Sequence, residues 1–235
     1  MQRPTPEKPD IDEKGARDQR SDKRLFMQLM CFGACRDTGA AVAAVKKSGL
    51  KAVVYEAVNN PFGIGVLTMS EDPADFTGPV RQLFQGQPFA AMHPMHDLVM
   101  FGRTYSLGYE PDLNDTLFER PKRTALNPDW PWAIWYPLRR SGKFSQLPAE
   151  EQRAILMEHG TIGMAFGQAD YAHDIRLACH GLDKHDNDFV VGLMGKDLHP
   201  LSAIVQTMRK TTQTSLYLER LGPFFVARAV WQAGM

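Results

Sequence analysis

The segment "LMEHGTIGMAFG", Leu156 to Gly167, sets an imidazole among apolar residues. On a helix, His159 shares a stripe with Ile155, Ile162 and Phe166, at offsets of minus four, plus three and plus seven. A neutral imidazole with one free nitrogen is a ligand for iron and similar metals. Gly160 and Gly163 each cost a helix interior about 1 kcal/mol relative to alanine. Without two side chains beside the ring, a flat ligand gains room close to the backbone. A core histidine bonded to a carbonyl or a water fits the same residues, and the spacing leaves both readings open.

A second candidate is "WAIWYPLRR", Trp132 to Arg140. As a strand it puts Ala133, Trp135 and Pro137 on one face and Ile134, Tyr136 and Leu138 on the other. Tyr136 is then a phenol among apolar neighbours, with Arg139 and Arg140 at the strand end. Such a group suits an anionic ligand or radical chemistry; a core tyrosine with its hydroxyl paired is the plainer alternative.

Other clusters carry less. "HPMH", His93 to His96, has no third ligand nearby, and "CFGAC" lacks the partners of a metal site, so Cys31 and Cys35 read as small core residues. The run "HGLDKHDND" reads as a polar hairpin loop. No phosphate-binding glycine loop, dinucleotide fingerprint, nucleophile elbow or H-E-x-x-H pair occurs.

The elements that must position these groups fall into two halves with one rhythm. "RLFMQLMCFG", "KAVVYEAV", "IGVLTMSE" and "DLVMFGRTYSL" read as strands, with helices at "DTGAAVAAVKKSG" and "DPADFTGPVRQLFQG". In the second half "WAIWYPLRR", "DIRLACHG", "DFVVGLMG" and "PFFVARAVW" are strands. "LPAEEQRAILMEHGTIGMAFG" and "PLSAIVQTMRKTTQTSLYLERLG" are its helices. The fold class expected is α+β: two tandem ferredoxin-like βαββαβ units forming an antiparallel barrel surrounded by helices. The expected organisation is a disordered arm over 1–22, one unit over 23–108, a connector over 109–130 and a second unit over 131–235. The arm is charged and almost without aliphatic residues, and the connector is polar and rich in proline and asparagine.

The 235 residues carry 27 Lys plus Arg and 27 Asp plus Glu, so no net field favours nucleic acid. No apolar run approaches the roughly 20 residues that cross a bilayer, so no membrane partner is expected. Three cysteines and no secretory segment point to reduced thiols and a cytoplasmic setting.

Taken in order, "WYPLRR", "LPAEEQRAILMEHGTIG", "GLD…DFVVGL" and "MRKTTQTSLYLERLGPFFV" resemble the chlorite dismutase-like family, over about 100 residues from Trp132 onward. That family holds haem-dependent chlorite dismutases and bacterial coproheme decarboxylases. The resemblance implies His159 as proximal iron ligand of haem b or coproheme, with Gly160, Ile162, Gly163 and Phe166 beneath the porphyrin. It implies Tyr136, in "YPL" where the decarboxylases have "YPM", as the radical-forming residue. Arg140 stands where a lysine is usual, and it can hold a propionate without giving up a proton.

The distal position of the family falls at Asp174 or Ala172 by counting, with Arg176 adjacent as distal cation. Two family arginines are replaced, by Met164 and near Tyr217. The activities implied are peroxide-dependent coproheme decarboxylation or peroxidase chemistry, chlorite decomposition to chloride and dioxygen, or a barrel that carries haem or none without catalysis. The small-molecule substrate would be peroxide, porphyrin or chlorite. A homo-oligomer, usually a pentamer, is implied as well.

Overall fold

The computed structural model describes residues 7–234. Its first half contains β1 (Phe26–Gly33), α1 (Thr38–Ser48), β2 (Ala52–Ala57), β3 (Ile64–Ser70), α2 (Pro79–Gln85) and β4 (Met100–Arg103). A connector with α3 (Arg120–Ala125) leads to β5 (Trp132–Arg140), α4 (Ala149–Gln168), β6 (His173–Ala178) and β7 (Phe189–Gly195). The chain finishes with α5 (Leu198–Met208), α6 (Thr212–Tyr217), β8 (Leu218–Leu221) and β9 (Phe225–Gln232). Local chemistry sets the ends. The Asp37 side chain accepts the Ala40 N–H at the start of α1, and Gly49 closes that helix in the left-handed region at φ 70°.

The two halves are ferredoxin-like units, and their strands join into one closed antiparallel ring. Its order is β1–β3–β2–β9–β5–β7–β6–β4 and back to β1. The seams between units are β2–β9 and β4–β6. Residues of alternate parity fill the interior, among them Met27, Leu29, Tyr55, Leu67, Trp135 and Leu177. Two glycines make room for two of the interior rings. A Cβ on Gly192 would lie 2.6 Å from the Trp135 ring, and one on Gly65 would lie 2.6 Å from Phe225. The helices cover the outer face in two clusters, one on each unit.

Four expectations need correction. From residue 7 onward the expected disordered arm is ordered: it forms a hairpin pairing Glu13 with Ser21 and Lys14 with Arg20. The Glu13 carboxylate accepts from Arg24 Nε (3.1 Å), Arg103 Nη1 (2.9 Å), and the Ser106 N–H and hydroxyl. A charged stretch can thus be held by ion pairs and hydrogen bonds rather than by apolar burial; residues 1–6 of the arm lie outside those described.

The connector is partly helical, because Leu117, Phe118 and Ala125 bury against the barrel. The expected helix over "DPADFTGPVRQLFQG" is a short 3-10 turn followed by α2, divided at Gly78 and Pro79. The last expected helix is also divided: α5 ends at Met208, and Thr211 caps a separate α6 by accepting the Thr214 N–H. Hydroxyl residues such as those of "TTQT" compete with helix continuation and favour a new cap.

No helix among the described residues is long and apolar enough to cross a membrane.

Candidate functional site

The outer face of the second unit is built from β5, β7 and β6, with α4 leaning across it. Strand parity turns Ile134, Tyr136, Leu138 and Arg140 outward, and Trp135 into the barrel. Register then lines up rows across three strands. Val191 pairs with both Tyr136 and Arg176, so these two residues flank it in one row. Leu193 pairs with both Ile134 and Asp174 in the next row.

Above this face lies α4, about 30 Å long, yet of its twenty residues only Ile155 is buried. His159, Ile162, Gly163 and Phe166 are half-buried. Ile162 and Phe166 pack onto the cluster containing Tyr136, Leu193, Leu201 and Ile204. The expected slot is one-sided. Nothing lies within 4 Å of a Cβ placed on Gly160, whereas one on Gly163 would meet Met208 Cε at 3.7 Å.

His159 Nδ1 sits 3.3 Å from Thr211 Oγ1, and its Nε2 has no hydrogen-bond partner among the described residues. Burial, then the positive charges of Arg140 and Arg176, hold its imidazole below the ordinary value. A neutral ring with one engaged and one free nitrogen is the form that ligates iron. Sequence reasoning missed Thr211, because the break between α5 and α6 that brings it to His159 has no spacing signal.

Tyr136 is buried beside Phe224, with ring centroids 4.8 Å apart, and its hydroxyl makes no hydrogen bond among the described residues. Burial foremost, and the Asp174 carboxylate second, push the phenol pKa up, so it stays protonated. Arg140 forms no ion pair among the described residues. Its guanidinium lies over the rings of Phe189 (4.6 Å) and Phe144 (5.0 Å), and its Nε is buried without a partner. The Arg140 N–H donates to Asp188 Oδ2 at 2.8 Å, a role for the "HGLDKHDND" run beyond that of a plain loop.

Arg176 is engaged: its Nε lies 2.9 Å from Asp174 Oδ2, and that carboxylate is the main reason its pKa is raised. Both residues, with Tyr105, Glu110, Thr116 and Arg120, line a polar cavity of about 30 Å³ beneath the connector. Met164 is exposed, and the Tyr217 ring meets Phe144 edge-on at 5.7 Å. The structure therefore gathers His159, Tyr136, Arg140, Arg176 and Asp174 on one side of the barrel. No group of three or more His, Cys, Asp or Glu among the described residues could hold a bare metal ion.

A closed antiparallel barrel of two ferredoxin-like units, with a histidine-bearing helix over one outer face, defines the α+β-barrel class of dimeric type. Within it, the chain belongs to the chlorite dismutase family, whose model matches residues 36–230. No curated protein matches the chain.

Solved structures share the fold at low identity. A haem-binding protein from Thermus thermophilus is 18% identical with a TM-score of 0.68, covering 88% of this chain and 91% of its own. A variant chlorite dismutase from Candidatus Nitrospira defluvii in complex with cyanide is 13% identical with a TM-score of 0.66, covering 89% and 92%. The chlorite dismutase of the same organism in complex with imidazole is 12% identical with a TM-score of 0.66, covering 89% and 92%.

Proposed function

We propose that this protein binds an iron porphyrin, haem b or coproheme, with His159 as the proximal ligand, and that it acts as a peroxide-dependent oxidoreductase. One observation carries the reading: α4 buries a single residue, yet presents a half-buried imidazole with a free Nε2 opposite the outward row of Tyr136, Val191 and Arg176. Helices in proteins draw most of their stability from packing one face, and a porphyrin would cover this one.

The residues fit the group. His159 would hold the iron, and Gly160 leaves the backbone bare beside it. Ile162 and Phe166 offer apolar surface, and Gly163 carries no side chain between α4 and Met208. Arg140, whose buried Nε has no partner, is suited to a porphyrin carboxylate. The iron supplies peroxide activation when the group is bound. Tyr136 offers a protonated phenol from an apolar setting, a donor of one electron and one proton to an oxidant on that side. This set favours coproheme decarboxylation or a related oxidation.

Arg176 faces the same side and supports a second reading, chlorite decomposition, in which a cation stabilises developing negative charge. Asp174 neutralises part of that cation, which is why the peroxide reading is preferred. A carrier without catalysis is the third. The assembly proposed is a homo-oligomer, a pentamer by family membership alone, acting in the cytoplasm.

The test is to add peroxide to the coproheme complex and analyse the porphyrin by mass. Formation of a two-carbon-lighter product, abolished in Tyr136→Phe, supports decarboxylation. Binding without product leaves oxidation of another substrate or the carrier, and dioxygen release from chlorite that depends on Arg176 supports the second reading.

A further inference from the structure

The neighbourhood of His159 determines more than that the ring is neutral. A threonine hydroxyl has one proton to donate and lone pairs to accept with. Thr211 Oγ1 lies 2.8 Å from the Met208 carbonyl oxygen, which can only accept. The hydroxyl proton is therefore committed there, across a shorter contact than the 3.3 Å to His159 Nδ1. Toward the ring Thr211 can then only accept, which requires a proton on Nδ1.

We infer that Thr211 is the positioning residue that fixes His159 as the Nδ1–H tautomer and leaves Nε2 as the basic, unprotonated nitrogen. The significance of this for iron rests on the porphyrin reading above, whereas the tautomer itself does not. Metal-bound histidines generally donate their second N–H to such an acceptor, and that partner sets ring orientation and ligand basicity. Here the acceptor is a neutral hydroxyl rather than a carboxylate, so it orients the ring without drawing the proton toward itself and making the imidazole anionic.

The arrangement depends on the division of the last helical segment. Thr211 accepts the Thr214 N–H as the cap of α6, its own N–H donates to the Met208 carbonyl at 3.0 Å, and Glu158 Oε2 accepts the Thr212 N–H at 3.0 Å. The Glu158 bond ties α4 to the start of α6 one residue away from His159. An unbroken helix through 209–211 would have no cap at Thr211 and would leave no free Thr212 N–H for Glu158 to accept.

The experiment is nitrogen NMR of the full chain labelled with ¹⁵N-histidine, without porphyrin, at a pH where the imidazoles are neutral. The His159 signals are identified by their loss in His159→Gln. The expected result is a protonated, pyrrole-type Nδ1 and a pyridine-type Nε2. Thr211→Val should abolish that preference, and Thr211→Ser should restore it. A wild-type ring protonated on Nε2 overturns the inference whether or not the valine variant folds, and so does a folded valine variant with an unchanged tautomer.

Titration of the same proteins with ferric haem b separates the two levels. An Nδ1–H tautomer in a protein that binds no porphyrin contradicts the proposed function while supporting the role of Thr211. If porphyrin binds, Thr211→Val should weaken it by about tenfold or more, and Thr211→Ser should not.

Discussion

Tyr136 and Arg176 stand on different strands of the second unit, yet both pair with Val191, from opposite sides. With strands about 4.8 Å apart, the two Cα atoms are separated by about 10 Å across one outward face. A phenol and a guanidinium thus occupy one row of the sheet, beneath the helix that carries His159. The relationship is a consequence of register, and a slip of one residue in β7 would send one face's side chains into the barrel.

Arg140 should matter for ligand binding more than for folding. Its guanidinium rests on Phe144 and Phe189 and forms no ion pair among the described residues, so its charge is available to an anion. Losing one charged hydrogen bond costs about 1.5–3 kcal/mol. Arg140→Ala is expected to weaken coproheme binding roughly tenfold to a hundredfold, with little change in melting temperature. Equilibrium titration followed by absorbance checks this.

The hairpin at the start of the described chain is expected to contribute to stability through Glu13. That side chain is 11% exposed and bonds Arg24, Arg103 and Ser106 together. Glu13→Gln removes the charge but keeps the shape, and should cost on the order of 2 kcal/mol. Denaturant unfolding measures the loss. Limited proteolysis should show earlier cleavage between residues 7 and 24.

Inside the barrel, Gly192 pairs with Trp135, whose ring lies over it. Gly192→Ala places a methyl 2.6 Å from the ring atoms, which must shift. Overpacking of this kind costs about 1–3 kcal/mol. The expected result is a lower unfolding midpoint together with a changed tryptophan emission spectrum. An unchanged midpoint would mean that the ring moves aside freely.

Much of this was legible from residue order. "WAIWYPLRR" alternates cleanly enough to separate the face of Tyr136 from the face of Trp135, and the stripe through Ile155, His159, Ile162 and Phe166 locates the imidazole on α4. What was not legible depends on contacts distant in the chain. Thr211 meets His159 only because a helix stops at Met208, and Glu13 orders its hairpin through residues about ninety positions away. The connector helix was hidden by its polar composition, although Leu113, Leu117, Phe118 and Ala125 anchor the connector to the barrel core. Counting puts the distal position at Asp174 or Ala172, with Arg176 adjacent; the 2.9 Å ion pair of Asp174 and Arg176 is a matter of side-chain geometry that counting does not reach.

The most direct measurement is titration of the purified protein with ferric coproheme and, separately, ferric haem b, following the Soret band in wild type and His159→Ala. The account predicts a saturable spectral shift in wild type that the alanine variant loses or converts to weak ligation. Failure of both porphyrins to bind, or identical titrations for the two proteins, would contradict it and leave His159 as a core histidine held by Thr211.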